Sequence, residues 1–430
     1  MIQELIFTNF LSFRDKTKFS FEATKDETFE ENQVVEVTPG VRLLRFSLLY
    51  GANASGKSNL LSAINFLSEF WFERKEDMDQ STDVIPFLLD TETPKKVSEF
   101  EFKFYIGSVK YWYILHLDRN IVKKENLYYY KTVQPTMLFS REFKDGQSII
   151  KINQSAIKIS NAVLEELNMR CLPNMSFFAA RNQVNCSLSL IDEVRDWFKI
   201  GFLPIIQPRT HMFEYAGKKM YSDNELKQYM LNFIRKADFN ITGINTKKES
   251  KPIPDFVRSA ILENNEISKS AKEKILEEPV YESLETDFEH TVKNTRGIKK
   301  YILPNTLQSE GTRRVLGIET AIYEALKNEQ ILLIDEIESS LHPDLLEFVI
   351  EKFLSKKNRS QLLVTSHYDP LLNAVDNLFR KDSVWFTEKE EDGNSKLYSL
   401  VEFKGLNKLS SYQKSYRNGL FGAVPKIKNI

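Results

Sequence analysis

The sequence predicts an α/β protein with an antiparallel β subdomain near the N-terminus and an inserted helical region in the middle of the chain. Three patterns support this fold class. An apolar run from Val41 to Tyr50 is followed by a glycine-bounded loop and then by leucine and isoleucine residues at helical spacing. Apolar and polar residues alternate from Glu99 to Tyr130, and the pattern from 155 to 281 is helical and more polar.

Two antiparallel regions are predicted within the first 150 residues. Apolar residues recur between residues 2 and 10, and Phe19 and Phe21 flank a serine, which is typical of the strands of a hairpin. The aromatic-rich stretch from Glu99 to Tyr130 contains a turn at Gly107. It therefore predicts a meander of antiparallel strands.

The C-terminal part of the chain alternates between helices and short buried strands. A helix is predicted from Thr312 to Lys327, followed by an apolar strand from Ile331 to Ile334. Pro343 opens the next predicted helix, because proline is favoured at the first helical position. Residues 361–365 predict one more buried strand.

We predict three regions along the chain. Residues 1–150 and 301–430 form the two halves of one α/β head, and residues 151–300 form a helical insertion that is partly mobile. The back half of the insertion, from Lys247 to Glu278, is dense in lysine and glutamate and has few large apolar residues. Its sequence points to no particular chemistry.

The composition excludes several classes of protein. The 430 residues carry 59 Lys+Arg and 60 Asp+Glu, a net charge of −1, which excludes a generally polycationic nucleic-acid-binding protein. The two cysteines, Cys171 and Cys186, are too few for a disulfide framework, so a reducing, cytoplasmic location is predicted. No apolar run approaches the roughly 20 residues of a membrane span, so no membrane partner is expected.

The strongest motif is Gly51-x4-Gly56-Lys57-Ser58, which lies between a predicted strand and a predicted helix. Backbone N–H groups in such a loop bind phosphates, and the positive end of the following helix points at them. Lys57 would reach the β- and γ-phosphates of a nucleotide, and Ser58 would bind Mg²⁺. The predicted nucleotide ligands are Gly51, Asn53, Ala54, Ser55, Gly56, Lys57, Ser58 and Asn59.

A second motif, Asp335-Glu336, follows the predicted strand that ends at Ile334. The carboxyl ends of parallel strands meet at the sheet edge where ligands bind, so these carboxylates are expected beside the nucleotide. Asp335 would hold Mg²⁺, and Glu336 would orient or deprotonate the attacking water. His367 ends the next predicted strand, a position that suits a sensor of the γ-phosphate.

A third motif, Ser309-Glu-Gly311, opens the helix predicted before Asp335. A serine and a glycine at a helix N-terminus can bind an anion such as a phosphate. Ser309 is also a good N-cap for that helix. On these residues alone, nucleotide binding and helix capping both remain open.

In chain order the motifs resemble those of the ABC-type ATPase heads, including their SMC and DNA-repair branch. Gly51–Ser58 resembles Walker A, and Ser309–Gly311 resembles the signature motif. Leu332–Glu336 resembles Walker B, His367 the switch histidine, and Glu338–Pro343 the D-loop. The resemblance implies an ABC-ATPase-like P-loop head that uses ATP and Mg²⁺, with Lys57, Glu336 and His367 as catalytic residues.

Three further stretches are more specific within that superfamily. Asn9–Phe13, Leu49–Asn59 and Tyr416–Pro425 resemble the stand-alone prokaryotic OLD-like ATPases of the RloA/AbiLi abortive-infection kind. This resemblance implies a dimer or higher oligomer that closes around ATP, with Ser309 and Gly311 of one chain completing the site of the other. It also implies anti-phage defence through a separate effector encoded in the same operon, such as a TOPRIM- or RloB-like nuclease.

The resemblance has departures, and other functions stay open. The signature segment has the sequence Gln-Ser-Glu-Gly-Thr, and the Q-loop glutamine has two candidates, Gln134 and Gln183. The main alternative is a DNA-repair or chromosome-maintenance ATPase that clamps DNA, so DNA remains open as a partner. A transporter ATPase subunit and a nuclease that uses Asp335 and Glu336 are weaker alternatives.

Overall fold

The computed structural model describes residues 1–237, 240–264, 268–277 and 279–425. These residues form two compact units, each discontinuous in sequence. The first unit comprises Met1–Pro208, Glu324–Ser339 and the described residues of Leu346–Ile430, and the second comprises the described residues of Arg209–Tyr323 and Ser340–Leu345. Within the described residues, none of the helices has the length and apolar composition needed to cross a membrane.

Strands and helices are numbered here in chain order. The strands are β1 (Ile2–Thr8), β2 (Thr17–Ser20), β3 (Val34–Thr38), β4 (Val41–Leu44), β5 (Phe46–Gly51), β6 (Ser98–Ile106), β7 (Val109–Leu117), β8 (Val122–Tyr130), β9 (Thr136–Lys144), β10 (Gln147–Ile152), β11 (Ile241–Pro252), β12 (Val280–Asn294), β13 (Gly297–Pro304), β14 (Ile331–Ile334), β15 (Gln361–Ser366), β16 (Val384–Lys389) and β17 (Ser395–Ser399). The helices are α1 (Glu30–Gln33), α2 (Lys57–Phe70), α3 (Asn161–Arg170), α4 (Phe177–Arg181), α5 (Ser189–Gly201), α6 (Phe213–Ser222), α7 (Asn224–Lys236), α8 (Asp255–Glu263), α9 (Lys269–Glu277), α10 (Glu310–Asn328), α11 (Pro343–Leu354) and α12 (Tyr412–Arg417).

A five-stranded sheet in the first unit has the order β14-β15-β5-β16-β17. Its first four strands are parallel, and only β17 runs antiparallel to its neighbour. Every residue of β5, β14 and β15 is buried, as expected for strands covered on both faces. The buried strands predicted at Ile331–Ile334 and 361–365 are therefore confirmed as β14 and β15, and the run predicted from Val41 to Tyr50 forms two strands, β4 and β5. The carboxyl ends of β5, β14 and β15 share one edge of the sheet.

A seven-stranded antiparallel sheet, also in the first unit, has the order β10-β9-β8-β7-β6-β1-β2. The predicted hairpin and meander are confirmed, and the turn lies at Gly107 between β6 and β7. Aromatic side chains of this sheet pack against α2, where the Phe66 ring centroid lies 5.3 Å from that of Phe100. Beyond the end of α2, Trp71 stacks on Phe178 with centroids 4.0 Å apart. Burial of these rings fixes α2, and with it the loop that precedes it.

The predicted helical insertion is only partly helical. Helices α3 to α7 occupy residues 161–236, but the described residues from 241 to 304 form a three-stranded antiparallel sheet, β11-β12-β13. The helical prediction is therefore wrong for β11, β12 and β13, although α8 and α9 lie between the first two strands. The parts of the predicted insertion at 238–239, 265–267 and 278 lie outside the described residues.

Cross-strand pairs explain why a lysine- and glutamate-rich segment forms strands here. The Lys248 ammonium lies 2.7 Å from the Glu282 carboxylate on the facing strand. The Thr242 and Thr291 hydroxyls are 2.8 Å apart across the same pair of strands. Opposite charges and paired threonines each stabilise facing positions of a sheet. Because this pairing joins distant parts of the chain, local composition alone favoured helix.

Candidate active site

The loop that follows β5 has the conformation of a tight anion-binding turn. Ala54 and Gly56 have φ values of 60° and 114°, and α2 begins at the next residue. A side chain at Gly56 is also excluded by space, because a Cβ atom there would lie 2.6 Å from the Ser395 Oγ. Ser55 is buried with its Oγ 2.6 Å from the Thr387 Oγ1, whereas Asn53 and Ala54 are exposed.

Lys57 places a buried ammonium group inside this loop. Its Nζ donates hydrogen bonds to the backbone oxygens of Gly51 at 3.0 Å and Ala52 at 3.1 Å, and the residue is only 5% exposed. Burial lowers the pKa of Lys57 to about 8, against the opposing effect of the nearby Asp335 and Glu336 carboxylates. A buried cation that has lost most of its hydration favours an anion beside it.

Asp335 joins the end of β14 to the phosphate loop. Its Oδ2 accepts a 2.8 Å hydrogen bond from the Ser58 hydroxyl, and its Oδ1 accepts one of 2.6 Å from the Thr365 hydroxyl. The backbone N–H of Asp335 donates to the Ile206 carbonyl at 2.8 Å, so two hydroxyls hold the carboxylate and a third hydrogen bond holds the backbone of the same residue. The structure therefore brings together the two side chains predicted to bind metal.

The oxygen atoms at this point suit Mg²⁺. A serine hydroxyl and an aspartate carboxylate are hard ligands, and Mg²⁺ is usually held by one or two carboxylates together with water and phosphate oxygens. The described part of the chain contains no group of three or more His, Cys, Asp or Glu side chains arranged to hold a metal ion. Ser58 and Asp335 thus offer two oxygen ligands of the kind that Mg²⁺ takes.

Glu336 and His367 form a pair beside Asp335. The His367 Nε2 lies 3.0 Å from the Glu336 Oε1, and both side chains are about one-third exposed, at 33% and 38%. Glu336 has a φ of 49°, which is uncommon outside glycine, and its N–H donates to the Thr365 hydroxyl at 2.8 Å. The His367 backbone N–H donates to the Glu338 carboxylate. The parallel strands therefore present a carboxylate and an imidazole together at the sheet edge.

Comparison with known protein families assigns this chain to a family. A family model described as "AAA domain, putative AbiEii toxin, Type IV TA system" matches residues 46–155 and 219–373, which is more than half of the chain. The chain belongs to this AAA-domain family. The matched ranges include the phosphate loop, Asp335, Glu336 and His367.

Two solved structures are similar to this AAA-domain chain over most of its length. An SMC head domain from Thermotoga maritima is 13% identical, with 93% of this chain and 98% of that chain covered and a TM-score of 0.40. An SMC head bound to the C-terminal winged-helix domain of ScpA is 14% identical, with 93% and 99% covered and a TM-score of 0.41. No curated protein matches the sequence.

Ser309 and Gly311 lie in the second unit of the AAA-domain chain, whereas the other predicted site residues lie in the first. The Ser309 Oγ accepts a 3.1 Å hydrogen bond from the Thr312 N–H, so Ser309 caps α10. A Cβ atom at Gly311 would lie 2.6 Å from the Ser340 carbonyl oxygen. Glycine at 311 thus allows the backbone at Ser340 to approach the start of α10.

Reasoning from sequence missed two residues that contact the predicted site residues. The Ser12 Oγ accepts a 2.7 Å hydrogen bond from the Asn59 side chain and lies 2.8 Å from the Ser395 Oγ. The signal was present, since Ser12 lies inside the Asn9–Phe13 motif, but nothing in the sequence indicated its partners. The second missed residue is Thr365, which contacts both Asp335 and Glu336.

The two candidates for the Q-loop glutamine are not brought to the site. Gln134 is exposed in the turn between β8 and β9. Gln183 follows α4, and its side-chain amide donates to the Ala179 carbonyl at 3.4 Å. Within the described residues, neither glutamine contacts the phosphate loop, Asp335 or Glu336, so the Q-loop assignment remains a prediction.

Proposed function

We propose that this chain binds ATP with Mg²⁺ at the phosphate loop and hydrolyses it to ADP and phosphate. One observation carries the proposal. The Ser58 hydroxyl and the Asp335 carboxylate, predicted separately as metal ligands, are joined by a hydrogen bond of 2.8 Å. Two hard oxygen ligands at the mouth of a phosphate loop are what a nucleotide-bound Mg²⁺ requires. Membership of the AAA-domain family supports the same activity.

Binding would be carried by Lys57 and the loop backbone. The Lys57 ammonium, held between the Gly51 and Ala52 carbonyls, would neutralise charge on the β- and γ-phosphates. N–H groups between Gly51 and Asn59 would donate to phosphate oxygens at the start of α2. When bound with ATP, Mg²⁺ would offset negative charge that develops on the phosphate oxygens.

Hydrolysis would depend on the Glu336 and His367 pair. The Glu336 carboxylate would accept a hydrogen bond from the attacking water and take its proton as the oxygen attacks the γ-phosphorus. His367, 3.0 Å from Glu336, would orient that carboxylate and contact a γ-phosphate oxygen. One-third exposure of both side chains supports this assignment, because water and nucleotide must reach them.

We further propose that ATP closes two chains into a dimer, in which Ser309 and Gly311 of one chain contact the nucleotide held by Lys57 of the other. A phosphate loop contacts one side of the γ-phosphate, and catalysis of phosphoryl transfer depends on surrounding that charge with fixed donors. The capped start of α10 is a rigid donor that a second chain can supply. Two-fold symmetry would then make both sites equivalent.

In this account the ATPase is the controlling component of an anti-phage, abortive-infection system. The family description, which names an AbiEii toxin and a type IV toxin–antitoxin system, supports a role in such a system. The effector would be a separate protein encoded in the same operon, such as a TOPRIM- or RloB-like nuclease. The proposed location is the cytoplasm, which the two free cysteines, Cys171 and Cys186, support.

One observation favours the alternative of an ATPase that clamps DNA. The hairpin of β12 and β13 carries Lys293, Arg296 and Lys299 near its turn, all exposed and with no ion pair to the described residues. The segment from 290 to 309 contains no aspartate or glutamate. Neutralising phosphates with such cations gives binding that weakens with salt. The alternative predicts that duplex DNA stimulates ATP hydrolysis at low salt. It also predicts that the Lys293→Glu variant loses this stimulation.

The proposed activity is tested by measuring phosphate release from ATP with and without Mg²⁺. Asp335→Asn should lower the rate strongly, because the amide is a poor ligand for Mg²⁺. The matched control is Asp344→Asn, because Asp344 is an exposed acid at the start of α11. Equal rates for wild type and Asp335→Asn, or a rate independent of Mg²⁺, would remove the basis of the proposal.

A further inference from the structure

We propose that Thr365 is a positioning residue for ATP hydrolysis, acting through Asp335 and Glu336 without touching the nucleotide. This inference rests on the proposed function. Thr365 lies on β15, two residues before His367, and is fully buried at 0% exposed. Its single hydroxyl donates to the Asp335 Oδ1 at 2.6 Å and accepts from the Glu336 N–H at 2.8 Å.

The direction of these two hydrogen bonds fixes both acids at once. A carboxylate only accepts and a backbone N–H only donates, so the Thr365 hydroxyl must point its proton at Asp335 and a lone pair at Glu336. Rotation of the hydroxyl would break one bond or the other. One side chain therefore sets the distance between the proposed metal ligand and the backbone of the proposed base.

The Glu336 backbone needs such support because its conformation is unfavourable. A φ of 49° is rarely adopted by a glutamate and persists only where neighbouring groups hold it. The Thr365 backbone contributes a second contact, because its carbonyl accepts a 3.1 Å hydrogen bond from the Ile337 N–H. Thr365 therefore binds the N–H groups of Glu336 and Ile337, on both sides of the Glu336 Cα atom.

Removing the hydroxyl would leave two polar groups without this partner. In Thr365→Val the Asp335 Oδ1 and the Glu336 N–H would both lose the hydrogen bond that Thr365 provides. We expect the Glu336 peptide to relax from its strained conformation, which moves the carboxylate away from the attacking water. Small displacements of a catalytic group lower rates sharply.

The test measures kcat and KM for ATP in Thr365→Val, Thr365→Ala and Thr365→Ser. We expect kcat to fall about 10- to 100-fold in the valine and alanine variants, with KM changed by less than about threefold. The serine variant keeps the hydroxyl and should stay within about threefold of wild type. The valine and alanine variants both lack the hydroxyl but differ in side-chain volume. An equal loss of kcat in both would therefore come from the lost hydrogen bonds and not from altered packing.

Thr320→Val is the matched control for deleting a buried threonine hydroxyl. Thr320 is also 0% exposed, but its hydroxyl donates to the Leu316 carbonyl within α10. Its kcat should match wild type. A kcat in Thr365→Val and Thr365→Ala equal to that of Thr320→Val would overturn the positioning role while leaving the proposed ATPase intact. A wild-type chain that releases no phosphate from ATP would instead overturn the proposed function and this inference with it.

Discussion

The Ser58 hydroxyl donates a 2.8 Å hydrogen bond to the Asp335 carboxylate, although the two residues are 277 positions apart in sequence. The parallel order of β14, β15 and β5 produces this contact, because it carries the phosphate loop and the Asp335 end of β14 to one sheet edge. Ser58 and Asp335 would be the residues that hold a magnesium ion here, through a neutral hydroxyl oxygen and a carboxylate oxygen. The contact thus links the two halves of the proposed nucleotide site.

We expect Lys57→Ala to bind ATP roughly 100-fold more weakly, because a charged hydrogen bond to the phosphates is lost. Isothermal titration calorimetry with Mg²⁺-ATP measures this change. Lys95→Ala is the control, since the Lys95 side chain is 71% exposed and pairs with Glu92. Thermal unfolding should show that both variants remain folded, and near wild-type ATP affinity in folded Lys57→Ala would contradict the assigned role.

ATP affinity should also depend on the protonation of Lys57. Burial lowers its pKa from the ordinary 10.5 to about 8, so the free protein loses this positive charge as the pH rises through 8. Bound phosphates favour the charged form, so binding above pH 8 must take up a proton, and affinity should fall by up to about tenfold per pH unit.

The measurement is the Kd for ATP between pH 7 and pH 9.5. In Lys57→Arg the guanidinium stays charged across this range, so its affinity should vary far less with pH. A wild-type profile as flat as that of Lys57→Arg would show that titration of Lys57 does not control binding.

Much of this site could be predicted from sequence because it is built from local patterns. The apolar run into Gly51 and the apolar strand before Asp335 each predict a buried strand, and parallel pairing places their ends together. Contacts of Ser12 and Thr365 could not be predicted, because they depend on the register of strands distant in sequence. The β11-β12-β13 sheet was missed for the same reason, since cross-strand pairs decide its structure.

Mixing two inactive variants tests the shared dimer site. We expect Lys57→Ala and Ser309→Arg to be inactive alone, the first for lack of a phosphate ligand and the second because arginine blocks the partner's site. In a mixed dimer one composite site carries both changes and the other carries neither, so ATP hydrolysis should partly return. The restored activity is measured as phosphate release from ATP by the mixture.

A Ser309→Ala chain is the control for capping. It loses the hydrogen bond to the Thr312 N–H and should lose about 1 kcal/mol of stability. If mixing restores no activity although heterodimers form, the shared-site model fails, and Ser309 acts only as the cap of α10.

Gly311→Ala should destabilise the protein by about 1–3 kcal/mol, because the added Cβ would lie 2.6 Å from the Ser340 carbonyl oxygen. Chemical denaturation measures the free energy of unfolding. Gly201→Ala is the control, since its Cβ would meet nothing closer than 3.6 Å. Equal stability of the two variants would show that the backbone at Ser340 moves freely away from α10.

Phosphate release by Glu336→Gln, measured with its ATP affinity, tests the central claim most directly. Glutamine keeps the size of the side chain but cannot take a proton, so hydrolysis should fall about 10²- to 10⁴-fold while ATP remains bound. Glu347→Gln, an exposed position on α11, should hydrolyse ATP at the wild-type rate. The predicted result is that Glu336→Gln still binds ATP but hydrolyses it at this reduced rate. A hydrolysis rate within a few-fold of wild type would contradict the proposed role of Glu336.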